Sequence, residues 1–477
     1  MSTTPTSSAV SASAIASHAS DPMPRLADLL RLPPYQAYSY SYPHKTAYRP
    51  IEPPRPLSQL WAGERRDALF LYLHVPFCSY RCGFCNLFAL ARPDPAKVER
   101  YLQQMEQQLR ATSAALGEHR FVRFALGGGT PTYLDAEQLR QVFAMVERHA
   151  NIDLRATPAG IEVSPETVDA EKLRVCREAG IDRVSMGIQS FSEAEVRALV
   201  RPQQREVVER AIGAIREAGF PTLNLDLIYG IAGQTVASFL ASIDSALSHA
   251  PEELYLYPLY VRPLTGLGRI EAKNGGKSGG KTGFVLQPEP LDERLALYQA
   301  GRDRLLQAGY TQVSMRMFRA PHAPDLAAPV YCCQSDGMVG IGCGARSYTG
   351  RLHYSSEYGV ARRSVAEILD HYLARDEASF ACADYGIELD ADEQRRRYVI
   401  QSLLIRPGLE HAGYRERFGA DCLDDLPQLR DLIELGLADD DGALLALNDA
   451  GLARADTLGP WLTSAAIAER MRDYRLG

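Results

Sequence analysis

The chain has 477 residues, 46% of them hydrophobic and 23% charged, which is enough for two or three domains with a sizeable core. A net charge of −7 argues against a general nucleic-acid binder. Nine cysteines in so long a chain do not make a disulfide framework, and no apolar run reaches the roughly 18–20 residues of a membrane-spanning helix. A cytoplasmic, reducing location and a monomeric state are expected.

Residues 1–30 begin rich in Ser, Thr and Ala, without a basic start or an apolar core, so they read as a disordered tail rather than a signal peptide. Residues 31–67 read as an arm. Tyr35, Tyr38, Tyr40, Tyr42 and Tyr48 fall within fourteen residues among prolines and basic side chains, a composition that forms no regular helix. The arm either lies on the surface or closes over a site.

From residue 68 apolar strands alternate with amphipathic helices. Strands are expected at Ala68–Val75, Phe121–Leu126, Gly160–Val163, Arg183–Ile188, Thr222–Ile228 and Glu253–Pro258. Helices are expected near 95–116, 135–148, 169–179, 203–218, 234–249 and 291–308. This rhythm predicts an α/β fold with a parallel sheet. Six units are too few for an eight-unit barrel, so a partial barrel over 68–310 is expected. Residues 271–290 read as a flexible insertion. Gly275 to Thr282 within it matches a phosphate loop in letters only, because no strand precedes it and no helix follows. Residues 311–379 read as a barrel extension, and 380–477 as a small helical, winged-helix-like domain. Its Asp439-Asp-Asp441 turn would repel nucleic-acid phosphates.

The chemistry concentrates where the expected strands end. Cys78, Cys82 and Cys85 stand at C-x3-C-x2-C spacing on the loop after the first strand. Three thiolates hold three irons of a [4Fe–4S] cube and leave the fourth open to a small molecule, whereas electron-transfer clusters generally take four. An open iron suits S-adenosylmethionine, which chelates through its amino and carboxylate groups. Gly127-Gly128-Gly129-Thr130 is a turn that lets backbone groups approach such a ligand. Glu162 suits ribose hydroxyls or a sulfonium charge, and Phe84 either shields the cluster or packs its loop. Cys332, Cys333 and Cys343 lack the spacing of a second cluster.

The cysteine spacing, with an aromatic before its last member, resembles the signature of the radical S-adenosylmethionine superfamily. Tyr72-Leu-His-Val-Pro-Phe-Cys78, Gly127–Thr132, Ile161–Glu166, Arg183–Phe191 and Asn224–Gly230 resemble the branch containing oxygen-independent coproporphyrinogen III oxidase. The resemblance spans roughly residues 35–460. It implies a partial (β/α)6 barrel with a small helical C-terminal domain. It also implies that Gly128, Gly129, Thr130, Glu162, Gln189, Arg201 and Asp226 hold S-adenosylmethionine, with Tyr72 nearby. The 38–42 segment resembles the family's arm beside the substrate, and Gly340–Ala345 a block near a second cofactor position. A small-molecule substrate and a reductase or flavodoxin-type electron donor follow. The oxidase carries a further cysteine where this chain has Leu87, and the haem-chaperone relatives carry a His-Asn-x-x-Tyr element that Leu352–Tyr358 does not match. Oxidative decarboxylation of a tetrapyrrole propionate, radical methylation or cyclopropanation, and a haem-chaperone role are the readings carried forward.

Overall fold

The computed structural model describes residues 24–39, 41–273, 292–325 and 335–474. Seven strands form the parallel centre of the molecule: β1 (Leu69–Val75), β2 (Phe121–Gly128), β3 (Ala159–Val163), β4 (Arg183–Gln189), β5 (Thr222–Tyr229), β6 (Glu253–Pro258) and β7 (Met338–Ile341). They lie in the order β7-β1-β2-β3-β4-β5-β6, each parallel to its neighbour. Antiparallel strands extend both edges. Met317–Arg319 and Thr311–Gln312 follow β6; Arg346–Tyr348, Leu352–Ser355, Cys382–Glu388 and Arg49–Pro56 follow β7.

Helices α1 (Pro95–Leu116), α2 (Ala136–Ala150), α3 (Ala170–Ala179), α4 (Arg205–Glu217), α5 (Val236–Leu247) and α6 (Glu293–Gln307) follow the helical pattern of the sequence. Local chemistry sets their starts. Asp94 accepts from Ala96 N–H ahead of Pro95 in α1, and Asp135 with Gln138 forms a capping box for α2. Their apolar stripes pack on one face of the sheet. The opposite face is polar: along β4, half-buried Arg183, Ser185, Gly187 and Gln189 alternate with buried Val184, Met186 and Ile188. A parallel sheet is normally covered on both faces by apolar layers, so a polar inner face is the lining of a cleft.

Three expectations need correction. Residues 24–30 are not tail: Leu26 and Leu29 are buried in the C-terminal core, because the short helix Leu26–Leu29 supplies apolar side chains that this small unit lacks. Arg49–Pro56 is a strand rather than irregular arm; with Pro50, Pro53, Pro54 and Pro56 it sits at the sheet edge, where missing N–H donors cost nothing in the ladder. Cys382–Glu388, expected in the helical domain, pairs with that strand, so the main sheet runs past residue 380. Residues 271–273 end the helix Gly266–Lys273. The rest of the expected insertion, Tyr40, Cys332 and Cys333 lie outside the described residues.

The C-terminal unit has its own core, including Tyr414, Leu429, Leu445 and Leu458. Its helices Ala391–Leu403, His411–Phe418, Cys422–Asp425 and Leu429–Glu434 lead to the hairpin Ala438–Asp440 and Leu444–Leu447, to which Leu409–Glu410, lying between the first two helices in the chain, adds a third strand. This is the helices-then-hairpin arrangement expected from the sequence.

Candidate functional site

The cysteine loop leaves β1 at the carboxyl end of the sheet. Phe77–Cys78 pairs with Leu90–Ala91, and Arg92 N–H donates to Cys78 O at 2.9 Å, closing the loop at its base. Gly83 anchors the tip: its N–H donates to Leu199 O at 3.0 Å and its carbonyl accepts from Leu267 N–H at 2.8 Å. A Cβ at Gly83 would stand 2.8 Å from Leu199 O, so glycine is required there. All three thiols are free and half-buried. Burial pushes the Cys78 thiol up to about 12; the Thr130 hydroxyl, 3.5 Å from the sulfur, opposes the shift, and Cys85 and Cys82 add to it. Burial likewise raises Cys85.

Arg201 supplies the counter-charge. It is 7% exposed, and its Nη1 lies 3.1 Å from Cys82 Sγ. Its Nη2 donates to Gly187 O and Ser164 Oγ, and its Nε to Gln203 Oε1. Four bonds to fixed partners orient a buried guanidinium against one sulfur. Three thiols within electrostatic reach of one another, beside one buried cation, are a donor set that fits an anionic iron–sulfur cube with three protein ligands.

The glycine turn forms the floor. Gly129 N–H donates to Val75 O at 2.8 Å and Thr130 N–H to Phe77 O at 2.8 Å, tying the end of β2 to the start of the cysteine loop. A Cβ on Gly129 would lie 2.7 Å from Phe77 O and 2.9 Å from Cys78 Sγ. Gly128, at φ +121°, presses on the His74 ring and donates its N–H to Glu162 Oε2 at 3.0 Å. Burial raises the Glu162 carboxyl, yet solvent reaches the side chain. Surrounded by protein but wet, it lies inside the cleft rather than on the outer surface.

Asp226 lies across the cleft on β5. Burial pushes its carboxyl up to about 7, opposed by the Asn224 amide at 2.8 Å and by Arg183, and reinforced by Glu162 and Glu253. Gln189 ends β4 at φ +66°, and its amide occupies the space a side chain at Gly187 would need. Tyr72 donates to His74 Nδ1 at 3.2 Å, while His74 Nε2 bonds Phe88 O at 3.0 Å. Burial lowers His74 to about 4, so the ring is neutral with its proton on Nε2. Phe84 packs against Leu199, Ile228, Ile231 and Leu259.

Of the residues the sequence singles out, Gly129 and Thr130 lie against Cys78 and Arg201 against Cys82, while Gly128 holds Glu162, which meets Tyr72 at Gly127 and lies within electrostatic reach of Asp226. His74, Arg183 and Asn224 were not singled out from the sequence. They lie within β1, β4 and β5, and only their period-2 relation to Tyr72, Gln189 and Asp226 marks them as inner-face residues. Cys343 is elsewhere, buried with its sulfur 3.8 Å from Ser356 Oγ.

The arm reaches the same mouth. Tyr38 lies on the Arg316 guanidinium (3.7 Å from ring centre to Cζ) and meets the Tyr257 ring edge-on at 6.4 Å. Arg316 pairs with Asp456 of the C-terminal unit at 2.5 Å, and Tyr260 also donates to Asp456. Arm, barrel and C-terminal unit thus meet at one buried ion pair.

A three-cysteine loop above the glycine turn of a parallel partial barrel defines a class. Residues 72–246 match the family model described as the Radical SAM superfamily, and the chain carries a radical SAM domain; that family's cofactors are a [4Fe–4S] cluster and S-adenosylmethionine. Within that class the chain is similar to oxygen-independent coproporphyrinogen III oxidases and their relatives. It is 29% identical over 467 residues to the Pseudomonas aeruginosa oxidase, covering 92% of each chain. It is 27% identical over 384 residues to the heme chaperone of Bacillus subtilis, covering 80% of this chain and 95% of that one. The solved coproporphyrinogen III oxidase of Escherichia coli superposes with a TM-score of 0.71 at 24% identity, over 92% of this chain and 98% of that chain, and so shares the fold.

Proposed function

We propose that the chain is a radical S-adenosylmethionine enzyme that abstracts hydrogen from a tetrapyrrole or a similar conjugated substrate. The observation that carries this reading is the Cys78–Cys82–Cys85 loop with Arg201 on one sulfur and Gly129 and Thr130 against another, beside a cleft that holds the carboxylates Glu162 and Asp226 within electrostatic reach of each other. When bound, a three-thiolate [4Fe–4S] cluster supplies the electron that cleaves S-adenosylmethionine to a 5′-deoxyadenosyl radical.

The chain's own residues bind and orient. Arg201 offsets thiolate charge at Cys82, and Thr130 donates toward Cys78. Gly128 N–H fixes one Glu162 oxygen and leaves the other for a cationic or hydroxyl group in the cleft. Asp226, held by Asn224, offers a second acceptor on the opposite wall. Gly129 keeps the turn against Cys78 because no side chain fits between them. Tyr38, stacked on Arg316, closes the mouth on the substrate side and limits water entry.

Leu87 favours a second reading. It stands 52% exposed at the position where the decarboxylating oxidases carry a cysteine. With no thiol at that position the porphyrinogen decarboxylation loses support, and radical methylation or cyclopropanation is the alternative reading. The chaperone reading gains less support: His353 is 1% exposed, with its ring 4.4 Å from that of Tyr348, and so is closed off from a surface ligand.

Anaerobic reconstitution with iron, sulfide, dithionite and S-adenosylmethionine tests the proposal. 5′-Deoxyadenosine is expected, and it disappears in Cys78→Ala, Cys82→Ala and Cys85→Ala. Haem binding without any 5′-deoxyadenosine would overturn the enzyme reading. Formation of S-adenosylhomocysteine as well would favour methyl transfer.

A further inference from the structure

A second constellation lies in the C-terminal unit, away from the cysteine loop. His411 opens the helix His411–Phe418, while Asp421 and Cys422 are the N-cap and first residue of Cys422–Asp425. His411 Nδ1 is 3.5 Å from Cys422 Sγ and 3.6 Å from Asp421 Oδ2. One ligand atom from each of the three falls within 4.8 Å of the others. A zinc ion bonded at about 2.0–2.3 Å to nitrogen, oxygen and sulfur has tetrahedral ligand-to-ligand edges of about 3.3–3.6 Å. The His411–Cys422 and His411–Asp421 separations match those edges.

The surroundings fit a ligand role. His411 Nε2 lies 3.0 Å from Asp440 Oδ1. That bond fixes the proton on Nε2 and turns the Nδ1 lone pair toward the thiol and carboxylate, which is the pairing that orients metal-bound imidazoles. His411 and Cys422 are 4% and 0% exposed, whereas the Asp421 side chain is 30% exposed. A fourth position therefore opens to water on the Asp421 side. Asp421 Oδ1 already caps Leu423 N–H at 2.9 Å, and Oδ2 meets Arg415 Nη1 at 2.9 Å. Arg415 is half-exposed, and a carboxylate oxygen has two lone pairs, so Oδ2 can serve both. Imidazole, carboxylate and thiolate together suit zinc better than calcium or magnesium, which prefer oxygen alone.

We infer that His411, Asp421 and Cys422 form a zinc site completed by water. Zinc enters as the dication and the Cys422 thiol gives its proton to solvent, with no redox change. The ion ties together two helices and, through Asp440, the strand Ala438–Asp440. It belongs to the C-terminal unit, so its presence does not depend on the radical chemistry proposed above.

The test is metal analysis of the full-length protein, purified anaerobically with its iron–sulfur cluster. About one zinc per chain is expected beside the iron; Cys422→Ser and His411→Ala should lose the zinc and keep the iron, and Cys78→Ala should do the reverse. Cobalt(II) exchanged into the wild-type chain should give a thiolate-to-cobalt charge-transfer band, a reading that does not depend on any variant folding. Wild-type protein that carries its iron yet takes up neither zinc nor cobalt after dialysis against their salts would overturn the inference. Full zinc in Cys422→Ser would overturn it too, and would leave the His411–Cys422 approach as a thiol–imidazole hydrogen bond.

Discussion

At the residue scale the site is governed by burial of charge. Asp226 is a carboxyl whose ordinary value near 3.8 is pushed up to about 7, chiefly by burial. The sign follows from linkage. The folded chain keeps this proton up to about pH 7, while the unfolded chain loses it near 3.8. Its ionisation therefore destabilises the cluster-free fold progressively between those values. Asp226→Asn should remove that slope, so the melting temperature of the cluster-free chain should fall less from pH 5 to pH 8 than in the wild type. An unchanged slope in paired thermal scans would show that Asp226 is not held neutral. The polar residues set within strands, such as Glu162 and Asp226, are legible in the sequence because they interrupt apolar runs. The contact of Arg201 with Cys82 is not legible, since 119 positions separate them and a spacing rule cannot span a barrel.

At the element scale the glycine turn after β2 and the cysteine loop after β1 act as one piece. They are joined by the Gly129 and Thr130 N–H bonds to Val75 and Phe77. Gly129→Ala places a methyl 2.7 Å from a carbonyl oxygen and 2.9 Å from Cys78 Sγ, so one of them must move. Such overpacking costs about 1–3 kcal/mol. Iron loading should fall sharply in this variant while far-ultraviolet circular dichroism stays near wild type; full iron content would refute the close fit. Six of the seven parallel strands are legible from their apolar runs. The seventh, Met338–Ile341, is four residues long and contains Gly340, and only its pairing with β1 makes it a strand.

At the scale of the whole molecule, the Arg316–Asp456 pair joins units that the sequence keeps apart. Both side chains are almost fully buried, at 5% and 1% exposure. Removing one member leaves the other charge buried, so Asp456→Ala should cost about 3–5 kcal/mol. Replacing both by apolar residues of similar size should recover much of that loss. Denaturant unfolding of the two variants checks this; equal losses would mean the pair is not the joint. The N-terminal residues add to the same closure: Tyr42 donates to Glu393, and Thr457 to Pro34 O at 2.8 Å.

The sequence by itself determined the alternation of strands and helices, the three-thiol loop and the glycine turn, because each depends on neighbours within a few residues. It also marked the helix-and-hairpin unit at the C-terminus. The tertiary structure alone decided which charges meet. Arg201 reaches Cys82, Glu162 faces Asp226 across a cleft, Arg316 pairs with Asp456, and His411 turns toward Cys422. In each case the neighbour is chosen by how distant segments pack, and for Arg316 with Asp456 the cost of leaving a charge unpaired away from water makes the pairing hold.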